Sequence, residues 1–417
     1  MRVTSLKLAD LRAIKTVDIE FQPGFNLIVG VNGVGKTSLL QALSVCLSAI
    51  VKKANTLSTM VEWFGVDDIR IGAAALMAEC DVRIGKRDHT FLIHKPRERS
   101  TPKKNKAGMP REQVHATPET AEFIGDAPAV ATGKEREGRP LALLFSTNRA
   151  VPSGLSPTKG SASGGIAAAY ADAFANRELR LMEFAAWMRV QEAMKAERPF
   201  AKRVLTAFEK TVERFLPGYS KLRVEGNGRP VLMINRGKTP LEVRQLSDGE
   251  RGTLALVLDL TRRLAQANPE MKDPAKQVEA VVLIDEIDLH LHPKWQRQIV
   301  LNLTEAFPHC QFIATTHSPQ IVAAVEPEQV LLLTSAGVFR PDRTLGMDSN
   351  WILRHLMEAD DRPANAAKDI QSVELMIQKG AFKKARTAIA QAKKKGLDLP
   401  EWSVLEARMA RMEILAK

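Results

Sequence analysis

Phe25-Asn26-Leu27-Ile28-Val29-Gly30-Val31-Asn32-Gly33-Val34-Gly35-Lys36-Thr37-Ser38-Leu39-Leu40-Gln41-Ala42-Leu43 is the stretch that decides the fold. Residues 25–29 read as a buried strand, residues 30–37 match GxxxxGK[ST], and an apolar helix follows at once. In that context the glycines let backbone N–H groups turn inward around phosphates, and the helix N-terminus favours negative charge. Lys36 is placed to reach the β- and γ-phosphates, and Thr37 to ligate Mg²⁺. The expected nucleotide-binding set is Asn32, Gly33, Val34, Gly35, Lys36, Thr37 and Ser38, with ATP and Mg²⁺ as cofactors. A chance glycine loop is the competing reading, and the strand before it and helix after it weigh against chance.

Working outward, Val281-Val282-Leu283-Ile284-Asp285-Glu286 is an apolar strand ending in two carboxylates. A buried parallel strand delivers its C-terminal end to the phosphate site. Asp285 is expected to hold Mg²⁺, mostly through water, and Glu286 to polarise the attacking water as general base. Two acids ending a strand are common by themselves; following a P-loop they are informative. Leu246-Ser247-Asp248-Gly249-Glu250-Arg251 opens another helix. Ser247 reads as its N-cap, with Glu250 as capping-box partner. The same geometry also suits an anion. One chain then has two phosphate-binding helix ends but one P-loop, so Ser247, Gly249 and Glu250 are expected to read the γ-phosphate bound by another copy. His317, in Ala314-Thr315-Thr316-His317-Ser318-Pro319, follows the strand Cys310–Ile313. Alone it reads as a satisfied histidine. In the order P-loop, Leu246–Glu250, acidic strand, histidine, it reads as a γ-phosphate contact that positions water. Lys36, Glu286 and His317 form the candidate catalytic set.

The remaining chain is organised around these elements. Of 417 residues, 45% are hydrophobic and 26% charged, proportions that support a substantial core. Three cysteines, Cys46, Cys80 and Cys310, make no CxxC pair. They fit a reducing cytoplasm. The N-terminus lacks a signal-peptide core and no apolar run is long enough for a bilayer, so a cytoplasmic location without membrane partners is expected. A net charge of +12 suits either a solvated basic surface or nucleic acid. Residues 74–96 read as a hairpin turning at Gly85–Asp88, and residues 97–139 as a long mobile loop. Leu181, Phe184, Trp187 and Met188 recur at helical spacing, which reads as packing. The alternation of helix and strand over 246–334 predicts an α/β fold with a parallel sheet wrapped by helices. The expected organisation is an N-terminal lobe (1–150), a linker and helical insertion (151–219), a C-terminal lobe (220–345) and a helical region (346–417) for partners or oligomerisation.

The four elements in this order resemble ABC-type ATPase heads. Ile284-Asp285-Glu286-Ile287-Asp288-Leu289-His290-Leu291-His292-Pro293, followed by Trp295-Gln296, resembles the RecF/OLD-like branch, and within it the ATPase subunits of Septu-type and retron-associated antiphage systems. The likeness reaches the tail through Asp348-Ser349-Asn350-Trp351-Ile352-Leu353. It implies an ABC-ATPase head: a parallel RecA-like sheet plus an antiparallel β subdomain, with a helical insertion and a helical tail. It makes Leu289 to His292 the loop that touches the opposite nucleotide across a dimer. It places Arg12 at a nucleotide-contacting position. It puts Asn148, in Ser146-Thr147-Asn148-Arg149, at the magnesium or water contact, although this stretch lacks the family's glutamine.

Transporter coupling is disfavoured, because nothing here docks obviously to a membrane. The insertion is too short for a chromosome-organising coiled coil, and no Toprim-like ligand set follows Leu333, so no nuclease activity of its own is expected. His290, His292, His309 and His317 read as ATPase loops rather than a metal site. The resemblance implies a nucleotide-gated regulator that dimerises or forms a larger oligomer, with an HNH-type endonuclease as partner and phage defence as its role. DNA, or retron RNA and DNA, are further candidate partners, and Lys383-Lys384, Arg386 and Lys393-Lys394-Lys395 a candidate contact region. The alternatives are a RecF-like DNA-repair ATPase and a scaffold held together by ATP with little turnover.

Overall fold

A computed structural model describes residues 1–55, 61–97, 119–128, 139–147, 165–175, 181–226, 228–359 and 364–415. Strands β1 (Arg2–Leu11), β2 (Ile14–Glu20) and β3 (Phe25–Val29) lead through the glycine loop into α1 (Lys36–Ala54). Next come β4 (Ala75–Ile84), β5 (Arg87–Pro96), β6 (Thr120–Ile124) and β7 (Leu141–Phe145). Helices α2 (Ile166–Tyr170), α3 (Leu181–Met194) and α4 (Pro199–Phe215) precede β8 (Tyr219–Glu225), β9 (Val231–Arg236) and β10 (Thr239–Glu242). Then α5 (Asp248–Ala267), α6 (Pro274–Gln277), β11 (Ala280–Ile284), α7 (Pro293–Ala306) and β12 (Cys310–Thr315) alternate. They are followed by α8 (Pro319–Val322), β13 (Val330–Thr334) and β14 (Gly337–Phe339). Four helices end the chain: α9 (Ser349–Leu356), α10 (Ala364–Gln378), α11 (Phe382–Lys394) and α12 (Pro400–Leu415).

The central sheet has the order β14-β13-β3-β12-β11-β7, and all its neighbours pair in parallel except β13 with β14. Every residue of β3, β11 and β12 is buried, as strands covered on both faces require. Parallel register carries Ile284 beside Ala314 and Ala314 beside Leu27, so the loops after all three strands emerge at one edge. A second, antiparallel sheet runs β2-β1-β4-β5-β6. Buried Gln311 joins the two sheets: its Oε1 accepts from Val3 N at 2.7 Å and its Nε2 donates to Val3 O at 2.8 Å. The α/β architecture read from the sequence is therefore present, with the antiparallel subdomain that the resemblance implies.

Two local expectations change. The hairpin turn is tighter than Gly85–Asp88: Ile84 pairs with Arg87, and the Arg83 and Asp88 side chains lie 2.5 Å apart across it. Within the segment expected to be a loop, β6 adds a fifth strand by pairing with β5. None of its five residues is buried, so no alternation marks it, and it is fixed by edge pairing and the Phe91–Phe123 ring contact at 5.0 Å. Residues 98–118 and 129–138 of that segment, and residues 148–164 further on, lie outside the described residues. Cys46 and Cys80, distant in sequence, are both buried, and their hydrogen bond, together with burial, holds the Cys80 thiol well above its ordinary pKa.

The aromatic stripe of α3 is core. Phe184 stacks edge-on to Phe208 of α4 at 5.0 Å, and Met188 joins the same cluster with the three-stranded sheet β10-β9-β8. Among the described residues, α1 is the one helix long and apolar enough to cross a membrane, yet 78% of that stretch is buried inside the protein. Its apolar composition serves the head's core.

The chain divides into two compact units, Met1–Ile352 and Leu353–Lys417. In the second, α10, α11 and α12 pack around the fully buried Trp402, with Val373, Ile377, Ala385 and Ile389 against it. Gly380 (φ 71°) and Gly396 (φ 84°) end α10 and α11 in the left-handed region. Ala381 N donates to Met376 O and Leu397 N to Ala392 O, the bonds of a Schellman ending. Part of this unit's basic charge is neutralised internally, by Arg386–Glu413 at 2.7 Å and Lys393–Glu406 at 3.3 Å. The Trp402 indole also donates to Leu397 O at 2.7 Å. Trp402→Ala should therefore destabilise this unit by ~3–5 kcal/mol, read as an earlier denaturant transition in the full chain; an unshifted transition would show that Trp402 does not hold it together.

Candidate functional site

β3 ends at Val29 and the chain turns through Gly33 (φ 80°) and Gly35 (φ 112°) into α1. Both angles lie where a Cβ is strained. At Gly35 a Cβ would also stand 2.8 Å from Ile14 Cγ1, so the turn is pressed against the start of β2. No acidic side chain occupies the first turn of α1, which leaves its N-terminal field unopposed. Lys36 folds back over the loop, its Nζ donating to Gly30 O at 2.7 Å and Val31 O at 3.0 Å. Burial pushes its pKa down, and Asp285, Glu286 and Asp288 pull it partly back. A desolvated ammonium beside open backbone donors is a strong anchor for phosphate.

Asp285 is the hub of the site. Thr37 Oγ1 of the loop helix donates to its carboxylate at 3.2 and 3.4 Å, and Thr315 Oγ1 donates to Oδ1 at 2.6 Å. The Thr315 hydroxyl also accepts from Glu286 N at 2.7 Å. One hydroxyl at the end of β12 thereby positions both acids that end β11. Glu286 sits at φ 48°, a conformation that costs a non-glycine residue ~1 kcal/mol or more. Leu289 N donates to Glu286 O at 2.9 Å and closes that turn. Asp288 in turn accepts from Thr316 Oγ1 at 2.6 Å and from His317 N at 3.2 Å. Thr316 N donates to Ile28 O, which brings the His317 turn beside the P-loop strand. Thr315, Thr316 and Asp288 are not among the site residues expected from the sequence. Two consecutive threonines at the end of a wholly buried strand were a usable signal, because buried hydroxyls need partners.

The start of α5 is built differently. Ser247 caps it, accepting from Glu250 N, while Glu250 Oε2 accepts from Ser247 N at 3.0 Å and from Ser247 Oγ at 2.8 Å. Tyr219 OH donates to Glu250 Oε1 at 2.8 Å. Burial alone would raise the Glu250 carboxyl, but the Ser247 and Tyr219 bonds outweigh it and hold the pKa below its usual value. Burial and that carboxylate push the Tyr219 hydroxyl up. A Cβ on Gly249 would collide with the backbone carbonyl of His290. Only glycine allows α5 to approach the loop after β11 this closely. His290 itself has φ 61°, and His292 caps α7 by accepting from Lys294 N.

The P-loop, Asp285, Glu286 and the His317 turn thus meet at one edge of the sheet, and Ser247, Gly249 and Glu250 lean on the loop that leaves it. Arg12 stands in the β1–β2 turn at φ 48°, its guanidinium held by Asp68 at 2.7 Å and its N–H donating to Asp68 O. Asp68, the residue that orients it, carries no mark in the sequence. Asn148 lies outside the described residues; Thr147, one residue before it, follows the end of β7, beside β11.

In fold and in the chain order of its site elements, the protein is similar to ABC-type ATPase heads of the RecF/OLD-like branch. Residues 145–323 match the family described as "AAA domain, putative AbiEii toxin, Type IV TA system", and residues 5–135 match one described as "AAA domain". The chain is 40% identical over 163 residues to the retron Ec83 probable ATPase of Escherichia coli, covering 39% of this chain and 30% of that protein. It is 40% identical over 94 residues to the Septu protein PtuA of Bacillus mycoides (strain KBAB4), 22% of this chain and 12% of that one. An SMC head solved with the C-winged helix domain of ScpA is similar at 16% identity and TM-score 0.49, over 82% of this chain and 95% of that one. The matched stretches span less than a third of these curated relatives' length.

Thr315→Val keeps the side chain's shape and removes the hydroxyl shared by Asp285 and Glu286. Nucleotide binding should persist within about threefold while phosphate release slows by on the order of 10²-fold, the cost of misplacing reacting groups. Unchanged turnover would show that the two acids hold their places without it.

Proposed function

We infer that this chain is the ATP-binding and hydrolysing subunit of a bacterial antiphage defence complex. In this reading two copies close head to head around ATP, and the closed pair controls a separate HNH-type nuclease. The likeness to a retron probable ATPase and to a Septu protein supports the biological setting. The observation that carries the chemistry is the coupling of Thr37, Asp285, Glu286 and Thr315 through hydrogen bonds at the mouth of the P-loop.

The geometry supports the following division of labour. Loop N–H groups and the N-terminus of α1 receive the β- and γ-phosphates, and Lys36 leaves its two carbonyl partners to neutralise them. Thr37 Oγ1 and the Asp285 carboxylate form a pair of hard oxygen donors that suits Mg²⁺ sharing its sphere with phosphate and water. That ion would supply charge neutralisation at the bridging phosphate oxygens. Glu286 takes the proton of the attacking water, and His317 orients the γ-phosphate and that water. The exposed, pre-capped start of α5 offers N–H groups and the Ser247 hydroxyl to the γ-phosphate of the opposite copy. Because Gly249 rides on the His290 carbonyl, occupancy there is felt by the loop that carries Glu286. Closure and hydrolysis are thereby linked, which is the property a switch over another protein needs.

Glu286→Gln should bind ATP normally and accumulate as a dimer that persists until nucleotide is removed, seen as an ATP-dependent shift in mass by light scattering. Normal turnover in that variant would remove Glu286 from the base role. Sharing of the site is tested by mixing Lys36→Ala with Ser247→Arg chains. Each alone should be inactive, and the mixture should recover about one working site per mixed dimer; no recovery at any ratio would rule out the shared arrangement.

A further inference from the structure

A cleft of about 770 Å³ opens between α4, the connection from α5 through α6, and the last turns of α7. It lies across the sheet from the nucleotide loops. α6 leads into the N-terminal end of β11 and the end of α7 leads into that of β12, whereas Asp285 and Thr315 sit at the opposite ends of these strands. At ~3.3 Å per residue, β11 alone separates the two edges by about 16 Å.

Six basic side chains line this cleft against three acidic ones, a net charge of +3. Arg214 is already cancelled by an ion pair with Glu305. Lys202 and Lys210 on α4, and Lys272 and Lys276 on the facing connection, form no ion pair with any described residue. Arg203 spends one nitrogen on the Pro269 carbonyl at 2.9 Å, and its buried Nε has no acceptor among the described residues. Eight residues of helix set Lys202 and Lys210 ~12 Å apart. The volume is that of a ligand-sized pocket, open along one side, rather than a shallow charged surface.

The lining also says what is not recognised. No aromatic ring borders the cleft among the described residues, so it lacks a platform on which bases stack. Lysine ammoniums act as point charges toward phosphate and do not impose the planar, bidentate geometry by which arginine reads guanine. We propose that this cleft grips the sugar–phosphate backbone of a nucleic-acid strand, without reading its base sequence, on the sheet edge opposite the ATP site. The assignment is independent of the defence setting, because it rests on the cleft alone.

The test uses the full chain and fluorescently labelled single strands of mixed sequence, as DNA and as RNA, titrated at several salt concentrations. The parent should bind both alike. A variant combining Lys202→Ala, Lys210→Ala, Lys272→Ala and Lys276→Ala should bind at least tenfold more weakly. Its log–log salt slope should be shallower by about 3, at ~0.7 for each phosphate that is no longer neutralised. Its ATP turnover should be unchanged, and the matching Lys→Arg set should retain binding. Three results would overturn the proposal: no binding by the parent, equal binding by the alanine variant, or tighter binding of an acidic peptide of equal charge than of the strands.

Discussion

Asp285 receives hydroxyl groups from two directions, Thr37 from the loop after β3 and Thr315 from the end of β12, and the rest of the head is arranged to make that possible. The two strands must be parallel and neighbouring, or their C-terminal ends would not emerge together. They must be buried on both faces, or water would compete for the carboxylate. A buried acid with two hydrogen-bond donors is well satisfied, and each such bond is worth ~1.5–3 kcal/mol when one partner is charged. Local geometry at the site is therefore fixed by the same contacts that fix the sheet's edge. Left-handed backbone at Glu286 is tolerated because its N–H bond to Thr315 and the Leu289–Glu286 turn over-determine it.

The sequence made the central sheet and the phosphate loop readable because both obey strong local rules. GxxxxGK[ST] between a strand and a helix has few physical alternatives, and β3, β11 and β12 are short apolar runs bounded by turn residues. The capping box at Ser247 was legible for the same reason, since its two partners lie three residues apart. What stayed hidden is non-local. Thr315 matters because β12 lies beside β11, and Asp68 matters because it meets Arg12 across 56 positions of chain. Gly249 read as a helix-start glycine, yet its necessity comes from a carbonyl at residue 290 that only the fold brings near. β6 was missed because an exposed edge strand without buried residues carries no period to detect.

In the proposed reading, Ser247 and Glu250 serve two demands through one local motif. As a capping box it satisfies orphan N–H groups at the start of α5 and keeps the helix end ordered without ligand. Glu250 is held ionised by those bonds and by Tyr219, whose ring also carries the Arg236 guanidinium at 5.7 Å. A helix end ordered in advance costs less entropy when an anion arrives. It also brings a carboxylate close to where that anion would sit, so binding must compensate the repulsion. In the proposed dimer, the balance would favour a phosphate only when its other partners, such as Lys36 of the second copy, already neutralise it.

The two edges of the sheet therefore differ in physical character. At the C-terminal edge, charge is buried, paired and held in fixed geometry: Lys36 is desolvated, Asp285 doubly bonded, and the loop backbone strained where it must be. Such an arrangement suits a small, fixed ligand and a reaction sensitive to fractions of an ångström. Across the sheet, the lysines of the cleft beside α4 sit on long side chains and form no ion pair with any described residue, and their attraction is long-ranged and salt-dependent. Flexible cations suit an extended anion whose register does not matter. Because α5 runs from the Ser247 cap at one edge to the connection carrying Lys272 at the other, one rigid helix of 20 residues links them. A shift of that helix on nucleotide binding would move both ends at once, so a strand held in the cleft and a nucleotide held by the loops would act on the same element.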